Sequence, residues 1–388
     1  MTDTYLLGGH VMLADGAFEL ADLRIRDGRV AQIGVDLRPS PGADVVEVTG
    51  FTTPGLIDAH THVAWAGTAP MPATLEGVRA RVDENLRLML RSGVTTIRDV
   101  GSIDGVALEA SGGPTRWCAN QIVCAVGGHG TETADQWASL APQAIEARGA
   151  AEFRAAVRTQ VERGAQLVKI TLNAAELEVT HAEARAAVDE AHRLGRRVAC
   201  HASIPEAIDL AIDVGVDTIE HGNGATPEQL ARMTSGGIVL VPTVWIYQRS
   251  LALARAAAAA SDANGSGSNA AWPPPVEIWQ ARVDAHRAVV RDALANGTTI
   301  AAGTDAIEGC PPDSLADEML ALHDLGLDPL ETLRAATAGG AAALGAPELG
   351  VLAEGGRADL VVFDAMPQEV VTGRAAPVAV FQAGRRAR

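Results

Sequence analysis

Gly55-Leu56-Ile57-Asp58-Ala59-His60-Thr61-His62 reads as an apolar strand whose end turns polar, with two histidines two positions apart. Residues i and i+2 of a strand share a face, so both imidazoles leave the strand end in one direction. The pattern recurs downstream. His201 closes Arg197-Val198-Ala199-Cys200-His201, His221 closes Val216-Asp217-Thr218-Ile219-Glu220-His221, and Asp305 closes Thr299-Ile300-Ala301-Ala302-Gly303-Thr304-Asp305. Strand-like runs ending near His62, Asp99, Val126, Ile170, His201, His221, Thr243 and Asp305 alternate with helix-like runs. Eight parallel strands are the number that closes a (β/α)8 TIM barrel, an α/β fold whose strand ends meet at one mouth.

Punctuation supports the intervening helices. Thr180-His181-Ala182-Glu183 is a capping box, and Pro205, Pro227 and Pro329 suit first-turn positions. The predicted barrel occupies residues 52–345. Residues 1–51 and 346–388 read as short strands and turns, and together they predict a small β-sandwich domain formed by both chain ends. Residues 250–279 hold an alanine run, then Ser261-Asp262-Ala263-Asn264-Gly265-Ser266-Gly267-Ser268-Asn269 and three prolines. That composition predicts a flexible insertion at the barrel rim, with Trp272 or Trp279 available to a lid.

Composition narrows the function. The chain has 388 residues, 47% hydrophobic, and a net charge of −17, which argues against nucleic acid or an anionic membrane as partner. No segment has the apolar length of a membrane span, and the N-terminus lacks a basic leader. Four scattered cysteines do not make a disulfide scaffold. A soluble, cytoplasmic homo-oligomer acting on a small molecule is the expectation. Lys169 is the only lysine in the chain, although Lys and Arg together number 31. It sits in the apolar run Ala165-Gln166-Leu167-Val168-Lys169-Ile170, where an ammonium is costly. Arginine serves every other basic position, so position 169 needs an amine.

Four histidines and a carboxylate form a nitrogen–oxygen donor set suited to Zn2+, Mn2+ or Fe2+. Two such cations lie close together only with a bridging anion between them. A buried amine with a depressed pKa adds CO2 to give a carbamate with two oxygens, a route closed to arginine. Lys169 is the candidate bridge.

These residues resemble the amidohydrolase superfamily, in its binuclear form with a carboxylated lysine, and most closely its prolidase-like and imidazolonepropionase-related group. The likeness runs through Pro54 to His62, Gly93-Val94-Thr95-Thr96-Ile97-Arg98-Asp99, Gly127-Gly128-His129-Gly130, Val168-Lys169-Ile170, Ile219-Glu220-His221-Gly222, Gly303-Thr304-Asp305 and Ala358-Asp359-Leu360-Val361-Val362. The resemblance implies one metal on His60, His62 and Asp305, a second on His201 and His221, and carboxylated Lys169 between them. It further implies attack by a metal-bridging hydroxide on an amide of a dipeptide or N-acyl amino acid, with Asp305 as general base and then acid. The alternative is a cyclic-amide hydrolase of the imidazolonepropionase kind, or a heterocycle deaminase. Those usually manage with one metal.

By the same resemblance His129 contacts substrate at the catalytic centre. Trp65 is a candidate aromatic wall, with rim packing as its equal alternative. Arg98 could grip a substrate carboxylate, but pairing with Asp99 or another barrel carboxylate comes first. Two departures mark an altered pocket: Ser203 stands where relatives often carry His or Tyr, and Thr171-Leu172-Asn173-Ala174 replaces a segment that usually holds a glycine pair. His181, His192, His286 and His323 fall on predicted helices as surface or packing residues.

Overall fold

Leu56–Thr61 and Val94–Asp99 are buried at all six positions each and Leu167–Thr171 at all five, the signature of parallel strands covered on both faces. They belong to a computed structural model that describes residues 3–14, 16–131, 143–264 and 275–388. The parallel strands form two hydrogen-bonded sheets. One contains Leu56–Thr61, Val94–Asp99 and Thr115–Cys118. The other orders Ala144–Ala147, Ile122–Ala125, Leu167–Thr171, Arg197–Ala202, Thr218–His221 and Val239–Val241.

Residues 299–305 link the two sheets without forming a regular strand. Leu240 N donates to the Thr299 carbonyl and Ala301 N to that of Leu240, while on the other flank Ala59 N donates to Ala302 and Asp305 N to His60. The expected third strand is split into Thr115–Cys118 and Ile122–Ala125, with Asn120 between them in left-handed backbone at φ 65°. Ala144–Ala147, which sequence reasoning did not anticipate, lies parallel to Ile122–Ala125. The fold is therefore α/β on parallel strands, in two arcs rather than one continuous sheet of eight.

Helix ends follow the sequence closely. The capping box at Thr180 and Glu183 is formed, and others join Thr226 to Gln229 and Asp328 to Glu331. Pro205, Pro227 and Pro329 occupy first-turn positions. Gly340 packs a helix against a strand; a Cβ there would fall 2.6 Å from that of Ile57.

The chain ends supply two further sheets. Thr4–Leu7, Asp22–Arg26, Arg29–Gly34 and Asp44–Glu47 form one. The other joins His10–Met12, Phe18–Leu20 and Phe51–Pro54 to Leu360–Phe363, Ala379–Gln382 and Arg385–Arg386, with Phe51 paired to Phe363. Leu6, Leu23, Ile25, Leu360, Val362 and Phe381 share one apolar cluster between them.

The stretch 250–279 differs from expectation. Helix Val244–Asn264 runs through the alanine-rich part and helix Val276–Ala295 begins before its end, with Leu251 and Ala254 packed on Trp279 and Val283. Alanine, leucine and arginine are strong helix formers, and their propensity outweighs the low-complexity appearance. Trp272 and the rest of 265–274 lie outside the described residues. Buried Glu318 accepts hydrogen bonds from Val244 N and Trp245 N, anchoring the first of these helices. No helix among the described residues is long and apolar enough to cross a membrane.

Candidate active site

The carboxyl ends of the parallel strands surround a cavity of about 420 Å³, a size suited to a small molecule. His60, His62, His129, Lys169, His201, Ser203, His221 and Asp305 all line it, as does Trp65. Nε2 of His60 and of His62 lie 3.3 and 3.2 Å from Asp305 Oδ1. The rings of His201 and His221 are 4.6 Å apart, and His129 stands 4.2 Å from His201.

The opposite nitrogens of three of these histidines are already engaged. Nδ1 of His60 bonds Glu220 at 2.6 Å, that of His62 bonds the Gly101 carbonyl at 2.9 Å, and that of His221 bonds the Thr243 hydroxyl at 2.8 Å. Each ring is thereby fixed with Nε2 toward the cavity, the arrangement that metal-binding histidines use. Ligand atoms of His60, His221 and Asp305 lie within 4.8 Å of one another. Burial pushes the pKa values of His201 and His221 well below the ordinary histidine range, which keeps the lone pairs that coordination needs. The donor set fits divalent cations.

Backbone geometry at the site is unusual. His221, Thr243 and Asp305 adopt left-handed backbone at φ 67°, 52° and 49°. Left-handed backbone is uncommon for non-glycine residues and strained for a β-branched one such as Thr243, and it concentrates where function fixes it. Here it re-aims side chains at strand ends. Gly303 serves the same packing by lacking a side chain: a Cβ there would lie 2.7 Å from both His60 Cβ and Val241 Cγ1. Gly303→Ala is expected to cost about 1–3 kcal/mol of stability through overpacking, measured by urea unfolding, and to lower activity by displacing His60.

Lys169 is buried at 3% exposure and makes no hydrogen bond among the described residues. Burial lowers its pKa, against the opposing pull of Glu220 and Asp305. A neutral amine is therefore favoured beyond what the side chain alone would give.

Arg98 requires a correction. Its guanidinium does not line the cavity. It donates to both oxygens of Glu220, to the Thr218 hydroxyl and to the Ala59 carbonyl, all beneath the histidines. Its partner is thus Glu220, another carboxylate at a strand end as the structural alternative expected, rather than Asp99 or a substrate carboxylate. Burial disfavours charge on Glu220, yet Arg98 and His60 hold its carboxyl well below the usual range. Ser203 does face the cavity, and Asn173 locks it by donating to its hydroxyl and accepting from its backbone N–H. The altered segment after Lys169 therefore carries a side-chain staple.

Sequence reasoning passed over Glu220, Thr243, Tyr247 and Arg282. Glu220 carried the same signal as Lys169, a charged residue inside an apolar run. Tyr247 and Arg282 lie on the helical insertion and line the cavity. His286, also on it, is buried, meets Tyr247 edge-on at 4.7 Å and bonds the His221 carbonyl.

A model of the amidohydrolase family matches residues 51–386, and the chain belongs to that family. It is a hydrolase that acts on C–N bonds. Similar proteins include the ochratoxinase of Aspergillus niger, 27% identical over 370 residues covering 84% of this chain and 73% of the relative. The imidazolonepropionase of Salinispora arenicola is 26% identical over 380 residues, covering 89% and 86%. A prolidase solved with N-methylphosphonate-L-proline superposes with a TM-score of 0.82 at 27% identity over 99% of each chain.

Proposed function

We propose that this chain is a metal-dependent hydrolase that cleaves an amide bond in a dipeptide or N-acyl amino acid. The observation that carries the reading is the set of three histidines anchored at Nδ1, of which His60 and His62 set Nε2 3.3 and 3.2 Å from Asp305. His60, His62 and Asp305 would hold one divalent cation and His201 and His221 another, zinc being the first candidate. Bound there, the cations would polarise the scissile carbonyl and acidify water.

The chain's own groups supply the remainder. The neutral Lys169 amine attacks CO2, forming an N–C bond and releasing one proton, so a buried neutral amine becomes an anion that could serve both cations. Asp305 accepts the proton of the attacking water on its carboxylate and returns it to the departing nitrogen. His129, beside His201, orients the substrate carbonyl. Trp65, Ile122, Ile246, Tyr247, Trp279 and Ile307 give the cavity apolar walls and exclude water from an apolar substrate side chain. The same reading takes the parallel strands as a (β/α)8 barrel over 52–345 and the end sheets as a β-sandwich, in a cytoplasmic homo-oligomer.

The test is metal analysis combined with a substrate screen of dipeptides, N-acyl amino acids and cyclic amides in bicarbonate buffer. Two equivalents of metal and release of a free amino acid are expected. Chelation should lower turnover by at least about 10³-fold, with recovery on adding Zn2+. One equivalent of metal with turnover confined to cyclic amides would favour the imidazolonepropionase-like alternative. Two bound metals with no hydrolysis would sink the proposal.

A further inference from the structure

Arg282 stands on helix Val276–Ala295, at the edge of the cavity and outside every strand end that carries the histidines. Its guanidinium carbon lies 5.1 Å from the centroid of the Trp279 ring. That ring is buried and lines the cavity, and it meets Tyr247 at 5.9 Å, which in turn meets His221 at 5.8 Å. An aromatic ladder thus joins Arg282 to the candidate metal centre. Stacking on an indole face restricts the guanidinium while leaving its N–H edge free to donate.

Several surface arginines of this protein pair with carboxylates, Arg79 with Glu109, Arg87 with Glu84, and Arg232 with Asp209 and Asp213. Arg282 has no ion pair or hydrogen bond among the described residues; its recorded contact is the tryptophan. Histidines apart, only Lys169 and Arg282 among the described residues bring basic side chains to the cavity. In the proposed mechanism Lys169 becomes an anion. Among the described residues Arg282 is then the one basic fork left for an anionic substrate, in a chain whose net charge of −17 otherwise repels anions.

We infer that Arg282 is a specificity-determining residue, which grips a free carboxylate of the substrate at the cavity mouth and so selects N-acyl amino acids and dipeptides over neutral amides. The inference rests on the amide-hydrolase reading for its choice of ligands. Planar, bidentate pairing with a carboxylate is what an unspent guanidinium offers, and a neutral carboxamide cannot reproduce it.

Two measurements on the metal-loaded protein test this. In the first, N-methylsulfonyl-leucine and its primary carboxamide, sulfonamides that resist hydrolysis, are titrated by calorimetry into wild type, R282K and R282M. Wild type should bind the carboxylate at least about 30-fold more tightly, R282M should lose the difference, and R282K should keep part of it. In the second, acetate release from N-acetyl-leucine and N-acetyl-leucinamide is compared. The ratio of kcat/KM should collapse in R282M, mainly through KM for the carboxylate. Thermal melts check folding; the exposed position of Arg282 leaves the core untouched.

No preference in wild type, or a preference that survives in R282M, overturns the assignment. A binding preference that depends on Arg282 without any turnover of N-acetyl-leucine would leave Arg282 as a carboxylate reader and overturn the hydrolase reading alone.

Discussion

Lys169→Arg is expected to reduce turnover by at least about 10³-fold and to lower bound metal from two equivalents to one or fewer. The substitution keeps a positive charge and a long side chain, so it is conservative by most measures. It fails because a guanidinium stays protonated and cannot add CO2. It also fixes a cation at a site of 3% exposure, in the same cavity as the four imidazoles to which the proposed mechanism assigns cations. Metal analysis of the purified variant beside circular dichroism separates this from misfolding. Normal metal content with full turnover in the variant would remove the basis for a lysine carbamate.

The second large effect concerns stability. Arg98, Glu220 and His60 form a connected network in which the side chains of Arg98 and Glu220 are 2% and 0% exposed. Glu220→Gln keeps shape while deleting the one carboxylate bonded to Arg98 among the described residues, leaving a buried guanidinium uncompensated. A loss of about 3–5 kcal/mol is expected from urea unfolding. Metal affinity should fall about 10–100-fold as the His60 Nδ1 anchor weakens. Replacing both partners with apolar residues, Arg98→Met with Glu220→Leu, should recover much of the stability but none of the metal affinity. A single-variant loss below about 1 kcal/mol would mean that water reaches the network.

Much of the site is legible in the sequence because polar residues that end apolar strands announce themselves. His60 and His62 follow strand alternation directly. His221 and Asp305 reach the same cavity by another route, through left-handed backbone at φ 67° and 49°. Non-glycine residues seldom adopt that conformation, so no pattern of residue types foretells it. The partner of Arg98 was equally hidden, since Glu220 lies 122 positions away and only the packing of strands brings them together.

The helical insertion illustrates a different obstacle. Its second helix carries an apolar stripe at Trp279, Val283, His286 and Val290, which has helical spacing. The serine- and glycine-rich run before it obscured that stripe. The proposed specificity residue Arg282 therefore sits just beyond the stretch whose composition looked least structured, on the helix that closes it, while the strand ends carry the candidate metal ligands. α/β folds on parallel strands commonly divide labour this way, with variable loops above a fixed scaffold.

The pairing of Phe51–Pro54 with Leu360–Phe363 has a consequence for biosynthesis. A ribosome must add some three hundred residues between making the first of these strands and making its neighbour. Throughout that interval Phe51–Pro54 lacks the neighbour on that flank, the kind of open edge that invites aggregation. Completion of this fold is thus a late event, gated by the arrival of a short segment far from any catalytic group.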